Sequence, residues 1–224
     1  FSFCEALSEC TLSEGVRELG YGTFSYVDAL QSIVIPGSVE SLDPAFYNCT
    51  GLAEVEFGDG VKHIGDYVFV GCGNLSKVVF PESLVSVGFH TFFRCPIEGE
   101  LRFGENMRTI GFGAFDGCVK ITSLDTGDGV TEIEGIAFRG CDALTDVRRG
   151  NNLKKVADDA FDSCNSMKNI HIDSLEMWCG LGGYKAFYRY EKELYLNGER
   201  ITRLVIPETV KELSTCTFYK FTGI

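Results

Sequence analysis

Phenylalanine recurs at Phe1, Phe24, Phe46, Phe69, Phe92, Phe115, Phe138 and Phe161, at spacings of 23, 22, 23, 23, 23, 23 and 23 residues. Three residues after most of these stands a cysteine, at Cys4, Cys49, Cys72, Cys95, Cys118, Cys141 and Cys164, with Val27 in that place in the second unit. A fixed period in the twenties makes each unit one turn of a coil that cannot bury its apolar side without neighbours above and below. Seven of the ten cysteines thereby occupy one repeat position.

The unit from Phe46 shows what a coil contains. Its apolar residues are Leu52, Val55, Phe57, Val61 and Ile64. The Val55-x-Phe57 alternation reads as a short strand with two side chains inward, and it recurs as Ile33/Ile35, Val78/Phe80, Leu101/Phe103 and Ile170/Ile172. Pro36, Gly58, Pro81, Gly104 and Gly127 follow where the chain must turn. Glycine after the next apolar pair (Gly20, Gly65, Gly88, Gly111) suggests a second corner with φ above zero. The Ala-Phe-x-x-Cys piece reads as a short helical turn. Stacked coils would set the strands parallel about 4.8 Å apart, and the phenylalanines, Phe218 included, would form one continuous spine. The expected fold is a leucine-rich-repeat solenoid. It is a right-handed superhelix of 23-residue coils with a parallel β-sheet on one face and short helical turns and loops on the other.

The repeating pattern Leu-x-x-Val-x-Phe-Pro-x-x-Val-x-x-Ile-Gly-x-x-Ala-Phe-x-x-Cys resembles the BspA-like leucine-rich repeat family of bacterial and protozoan cell-surface proteins, over nearly the whole chain. Ile170 to Cys179, followed by Leu194 to Pro207, is similar to the non-repeat island that many gut-bacterial members insert between coils. Phe161 to Phe218 is 57 residues, two periods plus eleven, as an island requires. Departures from the pattern are Thr126 and Arg149 at inward strand positions, Ile97 one residue early after Cys95, and Phe221 in place of the last repeat cysteine. The organisation expected is one solenoid over residues 1–224 with an island at about 173–200. Neither end carries a polar cap, so a longer array, or ends that associate with other chains, is expected. The resemblance implies a non-catalytic cell-surface or secreted module that adheres to protein partners, host extracellular-matrix proteins among them. A structural spacer, or an accessory domain of an enzyme lying outside this chain, are the competing readings.

Composition narrows the partners. Twenty basic against thirty-two acidic residues give a net charge of -12, which repels phosphate backbones and argues against nucleic acid. No apolar run approaches the roughly 18 residues of a membrane span. The three histidines, His63, His90 and His171, fall at three different repeat positions, so no triad or Cys-His pair is suggested. The Gly58-Asp-Gly and Gly127-Asp-Gly corners offer about one carboxylate each where calcium needs six to eight oxygens. One thiol per coil without a neighbouring histidine does not make a zinc site. No catalytic residue, metal or cofactor is expected. The six cysteines from Cys49 to Cys164 are expected to be buried, reduced and packed as small apolar groups. The pairing of Cys10, Cys179 and Cys216 stays open.

The outward strand positions are the first candidate binding surface. They form two columns, Ser32-Glu54-Lys77-Glu100-Ser123-Asp146-Asn169 and Val34-Glu56-Val79-Arg102-Asp125-Arg148-His171. Opposite charges on adjacent strands, as in Glu54-Lys77-Glu100 and Arg102-Asp125-Arg148, are worth about 0.2–1 kcal/mol per pair. Such a ladder either satisfies itself and keeps the sheet soluble or serves as the extended contact face typical of solenoids. The second candidate is the aromatic cluster of the island, Trp178, Tyr184, Phe187, Tyr188 and Tyr190, read either as a contact patch or as a private small core. Asn197-Gly198 between alternating apolar residues favours a type I′ hairpin just beyond it.

Overall fold

The computed structural model describes residues 1–181, 184–214 and 217–224, with Tyr184 described by its backbone alone. Cys216 lies outside the described residues. Each full coil contributes two strands: β1 (Ser32–Ile35) and β2 (Ser41–Leu42), β3 (Glu54–Phe57) and β4 (His63–Ile64), β5 (Lys77–Val79) and β6 (Ser86–Val87). The series continues with β7 (Gly99–Arg102) and β8 (Thr109–Ile110), β9 (Ile121–Asp125) and β10 (Glu132–Ile133), β11 (Asp146–Arg148) and β12 (Lys155–Val156). Next come β13 (Asn169–Ile172), helix α1 (Leu175–Cys179), a 3-10 turn over Tyr184–Phe187, β14 (Glu193–Leu196) and β15 (Glu199–Arg200).

All strands pair in parallel except the last. The first strands of the coils align with residues one period apart, as in Val55 opposite Val78 and Leu124 opposite Val147. The second strands form an unbroken six-stranded ladder, β2-β4-β6-β8-β10-β12. The sequence places a glycine corner there instead, and the difference has a physical cause. Gly65, Gly88 and Gly111 have no positive φ. A Cβ at Gly65 would stand 2.7 Å from the Leu42 carbonyl oxygen, and one at Gly111 2.6 Å from that of Val87. These glycines are small because successive coils touch there, not because the chain needs a left-handed residue.

Positive φ falls instead on either side of the spine phenylalanine: two residues before it in several coils, as at Gly22 (70°), Tyr67 (56°) and Gly113 (61°), and two residues after it at Tyr26 (59°), Asn48 (56°), Gly71 (84°), Arg94 (58°), Gly117 (76°), Gly140 (69°) and Ser163 (61°). A left-handed residue in every coil prevents the Ala-Phe-x-x-Cys piece from continuing as a helix, so this side is turns throughout. The strain persists because the same N–H groups bond across coils, Asn48 to the Val70 carbonyl at 2.8 Å and Gly117 to that of Arg139 at 2.7 Å.

Between these three sides the spine rings stack face to face. Centroid separations run from 5.1 to 5.4 Å from Phe24 to Phe161. Burial of each ring is worth about 1.5–3 kcal/mol. Beyond Phe161 the next ring is Phe187, at 5.5 Å, and not Phe218, which is half-buried against the core. The sequence placed Phe187 in an island outside the coil register, but β14 pairs with β13 in parallel, Asn169 opposite Glu193. The segment between them is therefore itself a coil, with α1 and the 3-10 turn replacing the second strand and the usual turns. Asn197 (φ 51°) and Gly198 (φ 83°) then form the hairpin turn that leads into β15.

The thiols of Cys49, Cys72, Cys95, Cys118, Cys141 and Cys164 are buried and free. Each Sγ donates to the carbonyl of the phenylalanine one coil earlier, for example Cys49 to Phe24 at 2.9 Å and Cys164 to Phe138 at 3.0 Å. Burial pushes the Cys95 and Cys164 thiols up to about 12 and those of Cys72, Cys118 and Cys141 well above the ordinary range. Cys4 is exposed, Cys10 half-buried and Cys179 buried.

Candidate functional site

The strand register builds the two outward columns as the sequence reading drew them, from Ser32 opposite Glu54 to Arg148 opposite His171, with one interruption. Glu56, Lys77, Val79, Glu100, Arg102 and Arg148 are exposed, while Glu54, Asp125, Asp146 and His171 are half-buried.

Their ion pairing differs from the expected alternation. Glu54 and Lys77 pair at 2.5 Å, but no ladder joins β5 to β7, and Glu100 is in no ion pair among the described residues. Arg102 reaches Asp125 only at 3.8 Å. Arg148 turns from Asp125 to Asp173, at 3.1 Å, because the coil beyond it supplies a nearer carboxylate. The far end closes into a network. Asp146 accepts from Asn169 at 2.9 Å and meets His171 at 3.1 Å, and the His171 ring stacks on Tyr195 at 4.7 Å. Burial works to raise the Asp146 carboxyl, but hydrogen bonds from Thr145, His171 and Asn169 outweigh it and hold it below the usual range. The columns thus divide: the β11–β14 end is committed to internal contacts, and the β3–β7 end presents Val79 to solvent together with Glu56 and Glu100, which are in no ion pair among the described residues.

The island aromatics are not one surface patch. Trp178 is fully buried; its Nε1 donates to the Thr217 carbonyl at 3.1 Å, and its ring meets Phe187 and Phe221, each at 5.6 Å. Reading Trp178 as a contact residue is thereby corrected. Tyr188 is half-buried against Tyr219 at 5.3 Å. Tyr190, also half-buried, bonds Asn165 through its hydroxyl and lies 5.7 Å from the Lys192 ammonium. The side chain of Tyr184 lies outside what is described.

Arg149, read from sequence as an irregularity, anchors this coil. It is buried, and its guanidinium donates to the carbonyls of Leu153 at 2.6 Å and Met177 at 2.8 Å, tying α1 to the stack. Thr126, the other polar inward residue, accepts from the Gly150 N–H at 2.9 Å. The periodic reading also missed a row of aromatics on the turn side, where Tyr67, Phe89, His90, Phe93 and Phe112 meet at 4.4 to 6.2 Å.

An open groove of about 840 Å³ runs along the corners that follow the first strands, lined among others by Phe80, Glu82, Arg102, Glu105, Asp128 and Asp173. The corner acids are a contribution that a reading confined to strand positions passes over.

A stack of parallel-stranded coils that exposes columns of side chains and an open groove defines a solenoid repeat protein of the leucine-rich type, a class that offers extended surfaces to other molecules. The chain belongs to the BspA-type leucine-rich repeat family: the model of that repeat region matches residues 1–98, 63–192 and 99–224, in six copies. Family and fold are typically non-catalytic. Among solved structures, the chain is similar to a leucine-rich repeat protein of T. pallidum, with 28% identity and a TM-score of 0.58, over 62% of this chain and 68% of that one. It shares the fold of a leucine-rich cell-surface protein of Faecalibacterium prausnitzii, with 24% identity and a TM-score of 0.53, over 80% of this chain and 64% of that one. No curated protein matches the chain. No helix among the described residues is long and apolar enough to cross a membrane.

Proposed function

We propose that the chain is a non-catalytic protein-interaction module of a cell-surface or secreted protein, and that adhesion to host extracellular-matrix proteins is its role. The observation that carries this reading is the β3–β7 half of the strand columns, where Val79 faces solvent beside Glu56 and Glu100, which are in no ion pair among the described residues. Membership in a family with cell-surface relatives supports the location. The acidic surface favours protein partners over nucleic acid. A spacer role draws on a different observation, the internally paired end of the columns around Asp146, His171 and Arg148.

Immobilised collagen, fibronectin and laminin, titrated with the purified chain, test the reading. Saturable binding to one of them, weakened by Glu56→Ala/Glu100→Ala, is the expected result. Absence of saturable binding to all three would remove the adhesion reading and leave the spacer.

A further inference from the structure

One first-strand step lacks its ladder. The N–H of Glu98 donates to the Ser76 carbonyl at 3.0 Å, and there the join between β5 and β7 ends. Gly99, at φ 82°, turns its own N–H to Lys120 of the following coil at 3.3 Å. The cause lies in the sequence Cys95-Pro96-Ile97-Glu98-Gly99. Other coils bury the residue three after the cysteine, as Leu52, Leu75, Ile121, Leu144 and Met167, whereas here Ile97 is buried one place early and Glu98 faces out.

The opening is confined to this side. The second strands continue across it, Ser86 opposite Thr109 and Val87 opposite Ile110. On the turn side, the Phe92 N–H still reaches the Ala114 carbonyl at 2.8 Å, and Phe69 reaches Thr91 at 2.9 Å. Coils held on two sides and unpaired on the third leave a slot between the two strand edges, floored by Phe80 and Phe103, whose rings meet at 5.6 Å.

The slot has backbone, apolar and charged components. In regular coils the inward residues direct their polar backbone groups to the next coil, as the Phe103 N–H does to Asp125 at 3.1 Å and that of Thr126 to Arg148 at 3.1 Å. By the same register, the Val78 carbonyl and the Phe80 N–H face β7, with no hydrogen bond between the two strands. Val78 and Phe80 are half-exposed where Val55, Phe57, Leu101 and Phe103 are buried. Around them Glu56, Glu82, Glu100 and Glu105 are exposed and none is in an ion pair among the described residues; of the nearby cations, Lys77 is held by Glu54 at 2.5 Å, Arg102 lies 3.8 Å from Asp125, and Arg108 donates to the Glu105 carbonyl at 2.6 Å. The groove described above opens from the lower end of this slot at Phe80, Pro81 and Glu82.

An exposed strand edge is a template for another strand, and strand addition draws affinity from the backbone and selectivity from alternate side chains. Four free carboxylates select for positive charge. We propose that the slot between β5 and β7 takes up an extended basic segment of a partner protein, which pairs with the Val78–Phe80 edge and sets lysines or arginines against Glu56, Glu82, Glu100 and Glu105. The proposal rests on the reading of the chain as an interaction module and gives that module a specific place and a partner chemistry.

The probe is a fluorescein-labelled nine-residue peptide that alternates lysine with valine or threonine. Two companions are used, one with glutamate for lysine and one N-methylated at alternate backbone amides, which keeps the charge and removes strand pairing. A ladder-closed variant, Ile97→Asn/Glu98→Leu/Gly99→Ser, restores the regular pattern, and slowed hydrogen exchange at the Val78 and Phe80 amides verifies closure. Glu82→Gln/Glu100→Gln tests charge in an open slot. Fluorescence anisotropy should give saturable binding of the lysine peptide, at least about tenfold weaker for both companions and for the closed variant, and severalfold weaker for the charge variant; tenfold corresponds to 1.4 kcal/mol. Equal binding of the methylated and unmethylated peptides, equal binding by the closed variant, or no saturable binding at all would overturn the slot. The closed variant is also passed over the three matrix proteins: if it binds one of them as the native chain does, the slot fails and the adhesion reading stands. If the lysine peptide binds the native chain and no matrix protein does, the slot stands and that adhesion reading fails.

Discussion

The coil from Phe115 to Phe138 and the coil from Phe161 to Phe187 occupy equivalent places in the stack and are built differently. The first repeats its neighbours: ring on ring, strand on strand, with the Cys118 thiol donating to the Phe92 carbonyl of the preceding coil at 3.1 Å. The second keeps the ring, the ladder strand and the thiol, Cys164 donating to the Phe138 carbonyl at 3.0 Å. It fills the remainder with α1, Trp178, Leu181 and Ala186, held by Arg149 and by a fully buried Lys192 whose ammonium donates to the Tyr190 carbonyl at 3.0 Å. The comparison separates what a coil must contain from what it can exchange. The stack keeps the spine ring throughout; where the second strand is replaced the first-strand ladder holds the coils, and at the β5–β7 step, where that ladder is missing, the second strands hold them. The second strand and the turns can be replaced wherever other side chains fill the same volume.

Alkaline titration should give the largest effect, because the buried thiols, present in both regions, and the buried Lys192 of the exchanged region respond with opposite sign. Five buried thiols, Cys72, Cys95, Cys118 and Cys141 in the regular coils and Cys164 in the exchanged one, titrate higher in the folded chain than the ~8.5 of a free thiol. Their stabilisation is complete below about pH 8.5 and is lost as pH rises toward their folded values, each contributing up to about 1.4 kcal/mol per pH unit. Burial, with the Lys220 charge adding to it, lowers Lys192 to about 8. Between there and its ordinary value of about 10.4 the unfolded chain binds the extra proton, so that group favours folding as pH rises. Urea midpoints from pH 8 to 11 should fall steeply, since five thiols outweigh one ammonium. Lys192→Met should fall more steeply still. A flat profile would mean the thiols are not buried as described.

Next in size are the rings. Phe115→Ala and Phe187→Ala should each cost about 3–5 kcal/mol in denaturant unfolding. Near-equal losses are the expected outcome, and a cost at Phe187 under about 1 kcal/mol would return it to a peripheral role. Arg149→Ala should cost roughly 2–4 kcal/mol through its lost bonds to two buried carbonyls, and hydrogen exchange should locate the loosening in residues 175–181 more than in the preceding coils. Arg148→Ala should change stability by only about 0–1 kcal/mol, as an exposed ion pair does; a larger loss would show that the Asp173 contact helps seat the exchanged coil.

How much of this was legible in the chain depends on whether a feature repeats. The spine from Phe24 to Phe161, the inward and outward strand positions and the buried thiols follow from the period, because identical units stacked in register put identical residues over one another. The period also isolated the segment near residue 173, and Asn197-Gly198 marked its hairpin. Three features were decided by the tertiary structure. Gly65, Gly88 and Gly111 are small because of a carbonyl or a glycine backbone one coil away. Phe187, and not Phe218, extends the spine because the helix and 3-10 turn bring it to the height of the next coil. The slot at β5 exists because Ile97 is buried one residue early while the phenylalanine spacing on either side stays at 23, leaving the period intact and the ladder open. A repeat determines which residues meet their own counterparts in the coils above and below. It does not determine what happens where the spacing holds and the local phase slips, since that outcome depends on which backbone groups can still reach across the gap.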